Sequence, residues 1–500
     1  MLNYTNQGLR LRRHVVCGLL AGFVNACALE VDDPSSPGLA VSALSTVSIA
    51  RDVGFGTQGT VFLSPGAEGA GFANAVDVQD GRTVVAGRAG VIGGTSPSSF
   101  LVARYAPDGN LDTSFGSAGK VTGLFPSANS EATAVAIQSD TNIIVAGHAI
   151  DSTSHMHCYA VVRLASTGAV DRNFGSLGSV RKCFTSDGGQ VHAMALQPDG
   201  KIVLAGFARA TDLDSLRAGV VRLTAGGAFD SSFDRDGVAQ LGTMGLIARA
   251  IGLQSDGKII VAGVANDQFA IERYGADGSF DRTFGNAGVR FVPFVSPAGT
   301  THTPNHPLTS EAFSLSIDGQ DRIVVAGRAY THEDGSDYHF GALARLTASG
   351  NLDQTFGDRG LVLSRVGSGF GAYASFTAVA AHSTGSSVIA GEYETAAGAF
   401  QVALAQYNSS GELQGQVLDT FSPAGVVLRP HAVVLSRGPT LFDEYAAVAG
   451  DGSASISGGG GRRSGAGLAR YIVRTPLQRP MPSIPPISLP SAPTLPNQGH

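Results

Sequence analysis

The chain repeats itself, and the period limits what it can fold into. The run Asp112-Thr-Ser-Phe115-Gly116-Ser-Ala-Gly119 returns at Asp171–Gly178, Asp281–Gly288 and Asp353–Gly360, and more loosely at Asp230–Gly237. Between these runs comes a second piece, Gln79-Asp80-Gly81-Arg82 followed by apolar residues up to Ala86-Gly87, matched by Gln197 to Gly206 and Gln254 to Gly263. A third, Val102-Ala103-Arg104-Tyr105, returns around Arg163, Arg222, Arg273, Arg345 and Arg470. The glycine ending the second piece stands at Gly87, Gly147, Gly206, Gly263, Gly327, Gly391 and Gly450, a period of about 60 residues. Such a period marks one supersecondary unit that hides its apolar faces by stacking on copies of itself.

Each period holds four short apolar or alternating runs separated by turn residues, without helical spacing or helix caps. In the second copy they are Ala132 to Gln138, Asn142 to Gly147, Tyr159 to Leu164 and Gly178 to Phe184, here called strands A, B, C and D. Asp-Gly between A and B predicts a two-residue type I′ hairpin turn, whose twist matches that of the strands. Seven copies of four antiparallel strands predict an all-β fold, a seven-bladed β-propeller of four-stranded antiparallel blades, which protects its sheet edges by radial packing.

The cysteines set the phase. Cys17 and Cys27 lie near the N-terminus, leaving Cys158 and Cys183 as an even pair that predicts a disulfide in an exported chain. If C and D pair across the Phe-Gly connection, the two cysteines fall within a residue or two of opposite each other. The chain then enters on a lone D strand, Thr60 to Leu63, and ends on a lone C strand, Leu468 to Val473. These two are expected to complete the seventh blade and close the ring.

With three landmarks in fixed order over about residues 52–473, the sequence resembles the delta-60 repeat family of bacterial exported proteins. The resemblance implies a tandem-repeat fold and no known reaction. The last two copies depart from the pattern: His382-Ser-Thr-Gly385 replaces the Asp-Gly turn, Gln414 the aspartate before phenylalanine, and Thr420-Phe421-Ser-Pro the Phe-Gly step.

Residues 1–28 read as a secretory signal, with Arg10, Arg12 and Arg13 ahead of an apolar run from Val15 to Val24 and then Asn-Ala-Cys-Ala. Two exits fit: a lipoprotein-type cut before Cys27, which would carry a lipid anchor, or an ordinary cut after Ala28. Residues 29–50 read as a linker, 51–474 as the repeat domain, and 475–500 as a proline-rich extended tail. No other apolar stretch approaches the roughly 20 residues of a membrane span, so the membrane is reached only through the lipid. The expected location is periplasmic, outer-membrane lipoprotein or extracellular, and the expected state a monomer. A net charge of −6 with acids and bases interleaved offers no basic stripe, which argues against nucleic acid as a partner.

A function is expected where the copies differ. The A-B and C-D turns share one face, and the phenylalanine, glycine and arginine landmarks read as structural there, the arginine as partner of the turn aspartates. The B-C and D-A connections share the other face and vary in length and content, which makes them the default recognition surface. On it the fifth copy carries His302, His306, Glu311, His332, Asp334 and His339, and the second His155 and His157. His302, His306, His332 and His339 are weak metal candidates; no other cofactor is expected. Over the central channel, the A-strand starts offer Glu131, His192, Arg249, Glu311 and His431, one per copy in five copies. The leading reading is a non-catalytic scaffold or binding module for a protein, peptide or glycan at the cell envelope. The alternative is a propeller enzyme, a metal-assisted lactonase or other hydrolase, with its site over the channel.

Overall fold

Strands that bury both faces cannot alternate polar and apolar residues, and the middle strands of each repeat are accordingly near-continuous apolar runs. Val-Val-Ala-Gly in one copy and Ile-Ile-Val-Ala-Gly in others are buried almost throughout. The computed structural model describes residues 48–57, 59–63, 71–90, 98–125, 129–151, 155–184, 188–210, 213–239, 242–243, 245–297, 306–333, 336–364, 373–394, 400–419, 426–437, 443–455 and 462–474. The leader with Cys27 and the tail lie outside these residues.

All named strands pair antiparallel, in seven sheets. Two short strands, β1 (Ser48–Arg51) and β2 (Thr60–Leu63), come first and join the last sheet. The first sheet holds β3 (Gly71–Gln79), β4 (Arg82–Ala89), β5 (Ser99–Tyr105) and β6 (Lys120–Leu124). The second holds β7 (Ser130–Ile137), β8 (Ile143–Ile150), β9 (His157–Leu164) and β10 (Ser179–Cys183). The third holds β11 (Gly189–Leu196), β12 (Ile202–Ala210) and β13 (Leu213–Leu223). The fourth holds β14 (Ile247–Leu253), β15 (Ile259–Ala265), β16 (Gln268–Tyr274) and β17 (Val289–Val292). The fifth holds β18 (Thr309–Ile317), β19 (Ile323–Glu333), β20 (Ser336–Leu346) and β21 (Leu361–Ser364). The sixth holds β22 (Ala374–Ala381), β23 (Ser387–Glu394), β24 (Phe400–Tyr407) and β25 (Leu413–Asp419). In the last, β26 (Val426–Arg437), β27 (Asp443–Ser455) and β28 (Arg462–Arg474) are joined by β1 and β2, both paired to β28. In register, Thr60 faces Ala469 and Leu63 faces Ala466.

Successive first strands touch: β3 with β7, β7 with β11, β11 with β14, β14 with β18, β18 with β22, β22 with β26, and β26 with β3. The core lies between neighbouring sheets. One cluster joins Val84, Ala86, Phe100 and Val102 of the first sheet to Ile143, Val145, Ala160 and Val162 of the second. Burying such side chains contributes roughly 1.5–3 kcal/mol each.

The aspartate-to-glycine run fastens each sheet to the next. Phe115, Phe174, Phe233, Phe284 and Phe356 are fully buried, each under the guanidinium of the strand-C arginine. That arginine also binds the run's aspartate, as in Arg163 Nε to Asp171 Oδ2 at 2.8 Å, and its Nη1 donates to a carbonyl of the following repeat, Ala225 O at 2.8 Å. Arg104, Arg222, Arg273 and Arg345 repeat both bonds. The glycine after the phenylalanine supplies another link: Gly116 N–H donates to Thr167 O at 2.7 Å. Gly116 has φ of +55°, and a Cβ there would lie 2.2 Å from Lys120 O, so no other residue fits.

Three expectations are corrected. Among the described residues, only the first A-B turn, Asp80-Gly81, has two positive-φ residues. In the third copy Gly200 N–H donates to Gln197 O and Gln197 N–H to Lys201 O, with Gly200 alone left-handed. Pro198 suits the first corner of a type I turn, and a left-handed residue follows, which makes a three-residue loop. The third sheet has three strands, because the variant run Asp234-Arg235 takes two positive φ values before Gly237 and only Val238 bridges back to Val221 among the described residues. Residues 48–50, expected in a linker, belong to β1 and extend the edge of β28.

Cys183 faces Cys158 in the β9–β10 register, and the two form a disulfide with Cα atoms 4.2 Å apart.

Candidate functional site

Every first strand is irregular at the same place. The register against the second strand jumps between Ala73 and Ala75, Ala132 and Ala134, Val191 and Ala193, Ala248 and Ala250, Ala312 and Ser314, Phe376 and Ala378, and Pro430 and Ala432. Each jump is a β-bulge, an extra residue that kinks the strand and re-aims its side chain. The extra residues are Asn74, Thr133, His192, Arg249, Phe313, Thr377 and His431. The Ala-Gly landmark is the partner of this device. A Cβ on Gly147 would lie 2.0 Å from Glu131 O, and one on Gly327 2.0 Å from Glu311 O, so the bulged backbone occupies the space a side chain would need.

Six of these residues, Asn74, Thr133, His192, Arg249, Phe313 and Thr377, line one cavity of about 540 Å³ where the first strands meet. The side chain of His431 lies outside the described set. Three of the six bond to the next sheet. Asn74 Nδ2 donates to Ala132 O at 2.9 Å, Thr133 Oγ1 to Val191 O at 2.7 Å, and His192 Nδ1 to Ala248 O at 2.8 Å. The His192 bond requires the Nδ1–H tautomer, leaving Nε2 as acceptor. Arg249 breaks the series. Its guanidinium lies 5.4 Å from the Phe313 ring centroid, it makes no hydrogen bond among the described residues, and its buried Nε has no partner. Burial lowers its pKa, with the Glu311 carboxylate opposing and the Arg328 charge adding to the shift.

A second tier sits two residues earlier on the first strands, with its facing partners on the second strands. Glu131 accepts from Asn74 Nδ2 at 2.8 Å and from Arg88 Nη1 at 3.1 Å, both of the preceding sheet. His148 faces it across the ladder and lies 5.7 Å from the His157 ring. Burial pushes the His148 pKa down to about 4 against the pull of Glu131, with His157 and His192 adding to the fall. Burial also lowers that of His192. In the fifth sheet Glu311 binds Arg328 Nη2 at 3.1 Å, while Arg328 Nη1 donates to the Tyr373 hydroxyl at 3.1 Å. His339 stacks on Tyr330 at 5.4 Å and meets Tyr373 at 4.8 Å.

The site expected from sequence is therefore rearranged. Glu131, His192, Arg249, Glu311 and His431 do not form one tier: His192, Arg249 and His431 are bulge residues, whereas Glu131 and Glu311 belong to the outer tier and are held by arginines. The fifth-copy cluster of His302, Glu311, His332 and Asp334 falls mostly outside the described residues, and what is described of its B-C connection is strand. Backbone pairing runs on to Glu333 against Ser336, placing His332 opposite Asp337 in a ladder. His302 and Asp334 lie outside the described residues, as do the side chain of His332 and its contacts. His306 is exposed, its N–H bonded to Ser296 Oγ. Among the described residues, no three His, Cys, Asp or Glu side chains converge as a metal site would need. Asn74, Arg88, Thr133, His148, Phe313 and Tyr373 were not singled out by sequence. For the bulge residues a signal was there in four of the seven A strands, where the extra residue stands between two small ones.

Four stretches, residues 79–115, 197–233, 254–284 and 321–356, match the model of a family described as a domain of unknown function (DUF5122) beta-propeller. The chain carries propeller-family repeats. Each match runs from an A-B turn to the buried phenylalanine, so it covers blade scaffolding and leaves out the bulges. No curated protein sequence matches the chain. Among solved structures it is similar to a GH43_1 enzyme from Xanthomonas citri, 10% identical, over 59% of this chain and 93% of that one, with a TM-score of 0.31. It is also similar to prolyl oligopeptidase B from Galerina marginata, 10% identical, over 82% and 52%, with a TM-score of 0.36. Similarity to the acylaminoacyl peptidase of Pyrococcus horikoshii is 9% identity over 79% and 60%, with a TM-score of 0.31. Likenesses this distant carry no argument about what the chain does.

Proposed function

We propose that the chain is an exported seven-bladed propeller, closed by β2 pairing on β28, that acts as a non-catalytic binding module. Its ligand, a protein, peptide or glycan of the cell envelope, docks over the channel on the variable face. The observation that carries this reading is the bulge tier: six side chains of five residue types meet at one cavity, while the residues that repeat are spent on joining blades. Rigid scaffolds with one variable concave site are built for recognition. Of the carboxylates a hydrolase would use as base or metal ligand, Glu131 and Glu311 are each engaged by an arginine, which leaves Glu392 as the acid lining the cavity. The leader residues 1–28 support export, either with a lipid on Cys27 or without one.

The test is capture from peptide and glycan arrays by the purified protein and by a variant with His192→Ala, Arg249→Ala and Phe313→Ala. The variant should lose capture while its melting temperature stays within a few degrees. A variant that captures the same ligands as the parent sinks the reading.

A further inference from the structure

Arg249 is the one described bulge residue whose charge nothing on its own tier answers. The three preceding bulge residues, Asn74, Thr133 and His192, each donate to the carbonyl just before the next bulge. Arg249 makes no such bond, and the chain of side-chain-to-backbone links stops there. The other described bulge residues carry no acid; Glu311, the carboxylate that acts on Arg249, is already taken by Arg328 and approached by the Tyr330 hydroxyl, and Glu392, the acid that lines the cavity, acts on Tyr373. Phe313 supports the guanidinium through its ring, 5.4 Å from the Arg249 carbon and 5.7 Å from that of Arg328. A ring contact holds a guanidinium in place while leaving its five N–H donors unused. The group therefore stands partly desolvated at the wall of a cavity of about 540 Å³ with a buried Nε that has no acceptor. A planar fork of donors is matched by a planar two-oxygen acceptor.

We propose that Arg249 is the anion subsite of the channel, binding a carboxylate of the ligand through its two Nη groups. Hydroxyl and amide groups of Thr377, Thr133 and Asn74 line the same cavity and suit the polar remainder of such a molecule. The inference rests on the reading that the ligand docks over the channel, and it adds that the ligand is acidic.

The experiment uses the full chain labelled with nitrogen-15 at arginine, and follows the side-chain Nε–H resonances while sodium acetate replaces sodium chloride at constant ionic strength, so that screening does not change. The Arg249 signal is assigned by its absence in Arg249→Gln. It should move saturably with acetate, and glucuronate and N-acetylalanine, as carboxylates of sugar and peptide origin, should show which source binds more tightly. In Arg249→Gln, calorimetric affinity for the better carboxylate should fall roughly tenfold or more, and Arg249→Lys should recover part of it. An Arg249 signal indifferent to all three carboxylates overturns the proposal, as does equal affinity in Arg249→Gln. Array capture of neutral ligands that needs His192 and Phe313 but not Arg249 would overturn the anion subsite and leave docking over the channel standing. Carboxylate binding at Arg249 without any channel-dependent capture would do the reverse.

Discussion

Arg163 and Arg249 are both partly buried arginines beside an aromatic ring, yet they do different things. Arg163 spends its donors on Asp171 and on Ala225 O of the next repeat, so it is part of the scaffold. Asp171→Ala should cost about 1–2 kcal/mol in urea denaturation, because it removes a charge-assisted bond and the cap on Asn173 N–H. Turn aspartates also report on acid. Burial of Asp230 favours its neutral form, but bonds from Ser232 and Lys201 and the charge of Arg222 outweigh it and take the pKa to about 2. A carboxyl lowered in the folded state contributes stability above the ordinary value, and that stability is lost as pH falls from about 4 to about 2. His148 works at milder pH and with the same sign of slope. Its folded pKa of about 4 lies below the ordinary 6.5, so the unfolded chain takes up the proton first. Stability should therefore fall between about pH 6.5 and 4, by something on the order of 1–3 kcal/mol, and His148→Gln should flatten that slope. Denaturation midpoints at pH 7 and pH 5 for both proteins check it.

Within single elements, the bulge and the Ala-Gly landmark depend on each other. Gly147→Ala would drive a methyl into Glu131 O at 2.0 Å, so either the bulge at Thr133 straightens or the second strand moves away. The expected outcome is a loss of roughly 2–3 kcal/mol, well above the usual effect of adding one methyl group. A substitution that left the melting curve unchanged would mean the bulge is not needed. The β9–β10 disulfide is a smaller matter. It spans 25 residues of sequence, for which the chain-entropy model gives about 3.5 kcal/mol as a ceiling. The ladder already holds Cys158 opposite Cys183, so the double alanine variant should fold and lose no more than that in denaturant titration.

For the whole molecule, the prediction concerns the ends of the chain. β28 carries β27 on one side and both β1 and β2 on the other. Truncation after Gly467 removes the partners of Thr60 and Val61 and most of the β27 pairing, and should abolish cooperative unfolding or lower the midpoint by many degrees. Truncation after Arg474 removes only the proline-rich tail and should leave the midpoint unchanged. Equal effects from the two truncations would show that the terminal strands do not hold the molecule together.

Much of the scaffold was legible because its residues recur, the Ala-Gly step seven times, the strand-C arginine six and the phenylalanine run five. The Asp-x-x-Phe-Gly run, the strand-C arginine and the Ala-Gly step each recur where one local geometry recurs, and a repeated geometry demands a repeated residue. The arginine–aspartate pairing followed from that recurrence, and so did the placing of Cys158 across from Cys183. The site was legible only in part. His192, Arg249 and His431 stood out as unlike residues at matching positions, but Glu131 and Glu311, two residues earlier on their strands, were read into the same tier because the composition of the strand does not show where its bulge falls. Nor does local pattern reveal that Arg88, in the preceding sheet, claims Glu131, or that the ladder past Tyr330 turns a presumed loop into strand. Those relations join residues far apart in sequence, and only the stacking of one sheet on the next decides which side chains meet and which, like Arg249, are left without a partner.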